Sequence, residues 1–218
     1  MRLTLPNVAG LAAPLIYAAT VIVFSRLTPG YSNISDAVSE LNLPGAPNRR
    51  AVDGAFVLYN LLLILFSLSL RSGFDARGLR ISRLGPLFLF LTGLCGVAMT
   101  ALFPLDPAGS EPTFGGQMHL ILAGALSLGS ILTVYFFGSS LRRREQASLL
   151  AGYSFLTLAV ILVSGAFAGF AAWRHSTVFG LWERVTIGAF LLWLFVLALI
   201  LAFSRNDDDY DWDDDDDD

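Results

Sequence analysis

Lysine is absent from this sequence, cysteine occurs once, and charged side chains are missing from the centres of its long apolar runs. The single cysteine, Cys95, excludes an intrachain disulfide and any metal site built from several cysteines. The missing charges argue against a proton pump or an ion-coupled transporter, because charges inside a membrane usually mark ion pathways. HExxH, GxSxG and P-loop motifs are also absent, and we expect no cofactor.

Apolar residues dominate the chain. Of its 218 residues 55% are hydrophobic and only 15% are charged, against about 25% charged in an ordinary soluble domain. A helix needs roughly 20 mostly apolar residues to cross a membrane, and lipid offers no partner to unpaired backbone groups, so helices are the default spanning structure. The sequence therefore predicts an all-α integral membrane bundle of six transmembrane helices, at residues 7–25, 55–70, 86–103, 118–137, 149–170 and 186–203.

The charges are divided between two regions. Ten of the 18 acidic residues lie within residues 207–218, whereas residues 1–206 hold 14 basic and 8 acidic groups and carry a net charge of +6. The stretch 206–218 has too little apolar surface to fold. We therefore expect a six-helix transmembrane domain at residues 1–205, followed by a disordered acidic tail at residues 206–218.

The arginines predict the orientation of the bundle. Basic residues accumulate in cytoplasmic loops. Six spans place five arginines on one side of the membrane and nine on the other. The nine are Arg2, Arg71, Arg77, Arg80, Arg83, Arg142, Arg143, Arg144 and Arg205. The larger set predicts that both termini are cytoplasmic. The connections after the first, third and fifth spans then face outward.

The first outward connection, residues 26–54, contains a short amphipathic pattern. Ile34, Val38 and Leu41 recur at helical spacing, and Asp36 and Glu40 form a second face four residues apart. This pattern predicts a short interfacial helix after the first span.

The other two outward connections carry the residues that could support chemistry. We expect His119 in the first turn of the fourth span, where the partial positive charge of a helix start favours neutral imidazole. Asp106 precedes it by thirteen residues across a loop rich in proline and glycine, so the two side chains could meet. His175 and Glu183 lie in the third outward connection, residues 171–185.

Three interpretations of these residues stay open. Asp106, His119 and His175 are candidate metal ligands. Asp106, His119 and Glu183 are candidate acid–base residues. Alternatively these groups, with Asp36, Glu40 and Arg184, are structural clamps around a polar outward-facing mouth, since clustered polar groups are often structural.

Three short pieces of sequence carry a family resemblance. They are Tyr31-Ser32-Asn33-Ile34-Ser35-Asp36 with Ser39-Glu40-Leu41, Phe103-Pro104-Leu105-Asp106 followed by His119, and Gly180-Leu181-Trp182-Glu183-Arg184. With the span count, they resemble the DUF998 family of six-span bacterial and archaeal membrane proteins. The resemblance implies a prokaryotic plasma-membrane protein. The layout is distantly similar to the Frag1/DRAM/Sfk1 group, which suggests a lipid-related role by analogy of fold.

These observations lead to a functional expectation. We expect a non-enzymatic integral membrane protein that interacts with membrane lipids or serves as an accessory subunit beside a partner membrane protein, and no nucleic acid as a partner. The alternative is a membrane-embedded lipid-headgroup hydrolase or metal-dependent enzyme that uses Asp106 and His119.

Overall fold

Six α-helices make up most of the computed structural model, which describes residues 4–142 and 144–203. They are α1 (Leu5–Leu27), α2 (Arg49–Asp75), α3 (Leu84–Leu102), α4 (Phe114–Leu141), α5 (Ser148–Trp173) and α6 (Phe179–Phe203), with 3₁₀ helices at Val38–Asn42 and Glu145–Ala147. The described part of the chain contains no β-strand. All six α-helices are long and apolar enough to cross a membrane, which confirms the predicted all-α bundle of six spans. The predicted acidic tail at 206–218 lies outside the described residues, as do Arg2, Arg143 and Arg205.

The helices pack in the order of the chain, and α6 returns to pack against α1. Consecutive helices pack side by side and alternate in direction, and only the first of their connections is long. We call the end that holds the connections 28–48, 103–113 and 174–178 the mouth end. The opposite end, which holds the connections 76–83 and 142–147, is called the arginine end.

The centre of the bundle is filled by large aromatic and aliphatic side chains. Trp193 of α6 is fully buried, packs edge-on against Phe137 with ring centroids 5.3 Å apart, and donates its indole N–H to the Ser154 hydroxyl at 3.0 Å. The bond satisfies the one polar atom of the indole. This contact joins α4, α5 and α6 at one point.

Small residues let the helix backbones approach closely, as is usual where hydrophobicity cannot drive association. The Asn60 side chain of α2 lies so close to Gly96 of α3 that a Cβ at position 96 would overlap it. Thr92 lies in the same way against Gly129 of α4. Gly165 of α5 contacts Thr186 of α6, whereas a Cβ on Gly169 would meet open space.

The last span begins earlier than predicted. The sequence places its start at residue 186, whereas α6 begins at Phe179 and the third connection shrinks to residues 174–178. Glu183 and Arg184 are therefore helical residues and do not lie in a loop. The reason is long-range: Gly180 packs against the backbone of Asp36, and the Leu181 N–H bonds to the Ile34 carbonyl at 2.9 Å.

The first mouth-end connection is also more compact than an amphipathic helix. Residues 33–36 form turns, and the helical part is the five-residue 3₁₀ helix Val38–Asn42. Val38 and Leu41 are buried, but Ile34 is 55% exposed and does not share their face. The position of this segment relative to a membrane interface stays a prediction.

The Gly96 contact can be tested by substitution. We expect Gly96→Ala to lower the free energy of unfolding by about 1–3 kcal/mol, because the methyl group overpacks against Asn60. Gly124→Ala in α4 is the matched control, since its Cβ would meet nothing; its higher helix propensity should leave stability equal or slightly raised. Thermal unfolding in detergent, followed by tryptophan fluorescence, measures both. Equal stability of the two variants would contradict the packing interpretation.

Candidate functional site at the mouth end

The guanidinium of Arg184 is the main polar link between α6 and the first mouth-end connection. One terminal nitrogen donates to the Asp36 carbonyl at 2.8 Å and to the Gly180 carbonyl at 2.9 Å, and the other donates to the Tyr31 hydroxyl. The charge also lies over the Tyr31 ring, 5.5 Å from its centroid. We call these four residues the Arg184 clasp. The clasp fastens residues 31–36 to the first turns of α6.

Glu183, the neighbour of Arg184, holds the next segment of the same connection. Its carboxylate accepts the Val38 N–H at 2.7 Å. That N–H belongs to the first residue of the 3₁₀ helix, where backbone donors have no partner inside the helix. The acid therefore caps a distant segment and fixes its position against α6.

The carboxylates of Asp36 and Glu40 accept hydrogen bonds from residues of their own loop. The Asp36 carboxylate accepts the Ser32 N–H at 2.8 Å and the Ser35 hydroxyl at 2.6 Å. Glu40 accepts the Ala37 N–H at 3.0 Å. Both acids thus shape the turns of the first connection.

Tyr31 is the neutral member of the clasp. Burial raises the pKa of its hydroxyl to about 12, and the nearby Arg184 opposes that rise only in part. A raised folded pKa means that the neutral hydroxyl is favoured up to pH values near 12. Tyr31 therefore contributes a neutral acceptor to Arg184 throughout the physiological range.

Asp106 caps the start of α4 through Thr113. Its carboxylate accepts the Thr113 N–H at 2.8 Å and the Thr113 hydroxyl at 2.7 Å, while that hydroxyl accepts the Gly116 N–H at 3.0 Å. The hydrogen bonds from Thr113, first the backbone N–H and then the hydroxyl, hold the pKa of Asp106 below its usual value, and His119 adds a smaller effect. The carboxylate also covers Gly116 so closely that a Cβ there would overlap it.

His119 lies beside this cap, but not in the first turn as predicted. Because Thr113 caps the helix, α4 begins at Phe114, and His119 is its sixth residue. Its side chain is buried, and Nδ1 is 2.8 Å from the Phe103 carbonyl oxygen at the end of α3. We infer that Nδ1 carries the proton in this contact, since a carbonyl only accepts. The imidazole thus closes the corner between α3 and α4.

The structure brings some of the nominated residues together and leaves others apart. Asp106 and His119 both lie at the corner between α3 and α4, where Asp106 bonds to Thr113 and His119 to the Phe103 carbonyl. Glu183 instead bonds to the first connection, and the exposed His175 lies in a groove at the end of α5. Among residues 4–142 and 144–203, no three His, Cys, Asp or Glu side chains are grouped so as to hold a metal ion.

Sequence reasoning missed two participants at this end. Thr113 had a usable signal, since a threonine directly before a helical pattern fits an N-cap. Tyr31 had none, because its contact with Arg184 spans 153 positions. Nothing in the local sequence around Tyr31 or around Arg184 indicates that these two residues pair.

Comparison with known proteins gives one result. A protein-family model described as "Protein of unknown function (DUF998)" matches residues 11–200. No curated protein and no solved structure matches the chain.

The Arg184 clasp predicts a local stability effect. We expect Arg184→Gln to lower the free energy of opening of residues 31–42 by roughly 1.5–3 kcal/mol, because hydrogen bonds from a charged donor to buried acceptors are lost. Hydrogen exchange of this segment in detergent measures the change, with residues 103–119 as an internal reference. Arg174→Gln is the matched control, since no hydrogen bond of that guanidinium is present among the described residues. Unchanged exchange in Arg184→Gln would refute the clasp.

The Asp106 cap predicts a pH dependence. A carboxyl whose folded pKa is depressed contributes stability that is fully present above its unfolded pKa, near 3.8, and is lost as the pH falls through the lower folded value. We expect the protection factors of the amides at the start of α4, which correct for the intrinsic pH dependence of exchange, to fall on acidification from about pH 4 downwards. Asp106→Asn should weaken this pH dependence and raise exchange at neutral pH. If the two proteins respond identically to acid, the cap does not depend on the charge.

Proposed function

Because the chain belongs to the DUF998 family, whose function is unknown, we propose a function from its geometry: a non-enzymatic integral membrane protein that interacts with lipid headgroups. The proposal places it in a prokaryotic plasma membrane with both termini cytoplasmic. It is supported by charged side chains at the mouth end that have structural roles, and by unpaired cations at the opposite end.

The observation that carries the proposal is the set of cations at the arginine end. Arg80, Arg83, Arg142 and Arg144 are exposed, and none forms an ion pair with another described residue. They surround helices whose outer faces are apolar and exposed. Basic side chains that border an apolar surface attract anionic lipid headgroups, each by about 1 kcal/mol.

Arg77 has a different role at the same end. Its guanidinium donates to the Gly73 carbonyl at 2.6 Å and to the Leu201 carbonyl at 2.7 Å, so it ties the ends of α2 and α6 together. Burial lowers its pKa from the ordinary arginine value. Because Arg77 has this structural role, we assign the headgroup contacts among the described residues to Arg80, Arg83, Arg142 and Arg144.

The mouth end supports the non-enzymatic part of the proposal. Asp106 is occupied by Thr113, Glu183 by the Val38 N–H, and Arg184 by carbonyl and hydroxyl oxygens. An acid–base catalyst needs a side chain that can reach its substrate.

An accessory-subunit form of the proposal would place a partner membrane protein against α5, where Gly169 leaves room for a second helix.

Lipid preference tests the proposal. The full chain is reconstituted in nanodiscs of mixed phosphatidylglycerol and phosphatidylcholine, and the lipids retained after transfer to detergent are quantified. We expect phosphatidylglycerol to be enriched severalfold at low salt and less at high salt, because salt screens exposed charges. The double variant Arg142→Gln/Arg144→Gln should lose most of that enrichment.

The matched control removes the same charge from the mouth end. Arg26→Gln/Arg50→Gln should retain the enrichment, since those arginines lie at the opposite end of α1 and α2. Equal lipid content in the wild type and in both double variants would overturn the headgroup role. Turnover of a phospholipid headgroup that is abolished by His119→Gln would instead establish the hydrolase alternative.

A further inference from the structure

An open groove of about 700 Å³ lies between the end of α5 and the start of α6, at the mouth end. Its walls are aromatic: the rings of Phe167 and Trp182 stack with centroids 4.7 Å apart, and Phe170 lines the groove beside them. Phe170 is 59% exposed and Trp173, which follows it at the helix end, is 71% exposed. Such exposed rings at the end of a span suit the boundary between the hydrocarbon and the headgroups.

The rim of the groove carries four consecutive polar side chains, which are those of Arg174, His175, Ser176 and Thr177. None of the four side chains has a hydrogen bond or an ion pair within residues 4–142 and 144–203. Arg174 only lies over the Trp173 ring, 5.8 Å from its centroid. The contrast with Arg184, which is held by three oxygens, marks Arg174 as a cation available to a ligand.

The backbone of His175 has a conformation that is uncommon for residues other than glycine. Its φ is +49°, and it is the only residue other than glycine with a positive φ in the part of the chain that the structure describes. The His175 N–H bonds to the Ala172 carbonyl and the Ser176 N–H to the Ala171 carbonyl, which is a Schellman motif. Glycine normally occupies this position, because a side chain there costs roughly 1–2 kcal/mol.

The arginine end of the bundle contains the same Schellman motif with glycine at the position of positive φ. Gly78, with φ +68°, ends α2 through the equivalent pair of hydrogen bonds. The turn itself therefore does not require histidine. An imidazole is held at the rim of the groove although glycine would form the turn with less strain.

We infer that this groove binds a phospholipid through its phosphate group. Arg174 and the imidazole of His175 donate hydrogen bonds to the phosphate oxygens, with the Ser176 and Thr177 hydroxyls as further donors. The first part of an acyl chain lies along Phe167 and Phe170. This inference rests on the proposed lipid interaction and adds a defined site at the mouth end, far from the arginines that carry that proposal.

The aromatic wall of the groove favours a lipid over a soluble phosphate. The guanidinium geometry suits phosphate oxygens of any source. The aromatic wall, however, would stay unused by a soluble anion, whereas an acyl chain covers it. The groove therefore combines a cationic rim and an apolar wall in the order in which a phospholipid presents its headgroup and its chains.

The test compares two lipids with the same acyl chains, one with a phosphate-containing headgroup and one without. Binding of phosphatidylglycerol and of diacylglycerol with the same acyl chains is measured by native mass spectrometry of the full chain in detergent, in the Arg142→Gln/Arg144→Gln background that removes the arginine-end contribution. We expect Arg174→Gln to weaken phosphatidylglycerol binding about tenfold, since charge-assisted hydrogen bonds are lost, and to leave diacylglycerol binding unchanged. Arg26→Gln, the same charge change at the mouth end on α1, should change neither by more than about twofold.

His175→Gly separates binding from folding. Thermal stability should be equal or raised, because glycine relieves the backbone strain, while phosphatidylglycerol binding should fall by about threefold or more, the loss of one hydrogen bond. Gly78→His, which introduces the same strain at the arginine end, should lower the melting temperature and leave lipid binding intact.

Each remaining outcome is decisive. Phosphatidylglycerol binding that is unchanged in both Arg174→Gln and His175→Gly overturns the groove site, even if the arginine-end variants still lose anionic lipid. Displacement of phosphatidylglycerol by soluble glycerol phosphate at equal concentration overturns the lipid as occupant. If neither lipid binds and no anionic lipid is enriched in nanodiscs, the proposed function fails with it.

Discussion

Lipid offers no hydrogen-bond partner to a polar atom, and this constraint shapes the whole bundle. Hydroxyl groups within the spans bond back to carbonyls of the preceding turn, as seen at Thr20, Ser67, Thr92, Thr133, Ser154 and Ser164. The charged groups are confined to the ends, where backbone donors and acceptors are free at helix termini. Glu183, Asp106 and Arg77 each bond to backbone groups at or next to a helix end, whereas Arg184 bonds to the Asp36 carbonyl in a loop and to the Gly180 carbonyl in the first turn of α6.

The two ends of the molecule use arginine in opposite ways. Arg184 and Arg77 are bound by carbonyl oxygens, and each retains a buried Nε without a partner among the described residues. Exposed arginines such as Arg142 and Arg174 have no acidic partner in that part of the chain. The formal charge of an arginine therefore does not indicate whether it can bind a ligand. That depends on whether its guanidinium already has hydrogen-bond partners in the protein.

The number and type of the spans could be predicted because a spanning helix needs a continuous apolar stretch of sufficient length, and that length can be read from the local sequence. The start of α6 could not, because Trp182-Glu183-Arg184 has the composition of a boundary loop. It is helical because the first connection covers it, through contacts between positions near 34 and near 181. The sequence predicted that Asp106 and His119 lie near each other because only a short loop separates them. The role of Asp106 as a cap depends on Thr113, which local capping rules could have identified.

The Leu201 carbonyl accepts hydrogen bonds from both Arg77 and Asn7. α1 and the connection that follows α2 thus both bond to one oxygen atom of α6, and 194 positions separate Asn7 from that atom. Synthesis proceeds from the N-terminus, so α1 and α2 enter the membrane long before this acceptor exists. Until α6 is inserted, the faces of α1 and α2 that it will cover must be shielded by lipid or by an insertion factor. Closure of the ring of helices therefore requires α6, and a chain that stops before α6 leaves the facing surface of α1 uncovered.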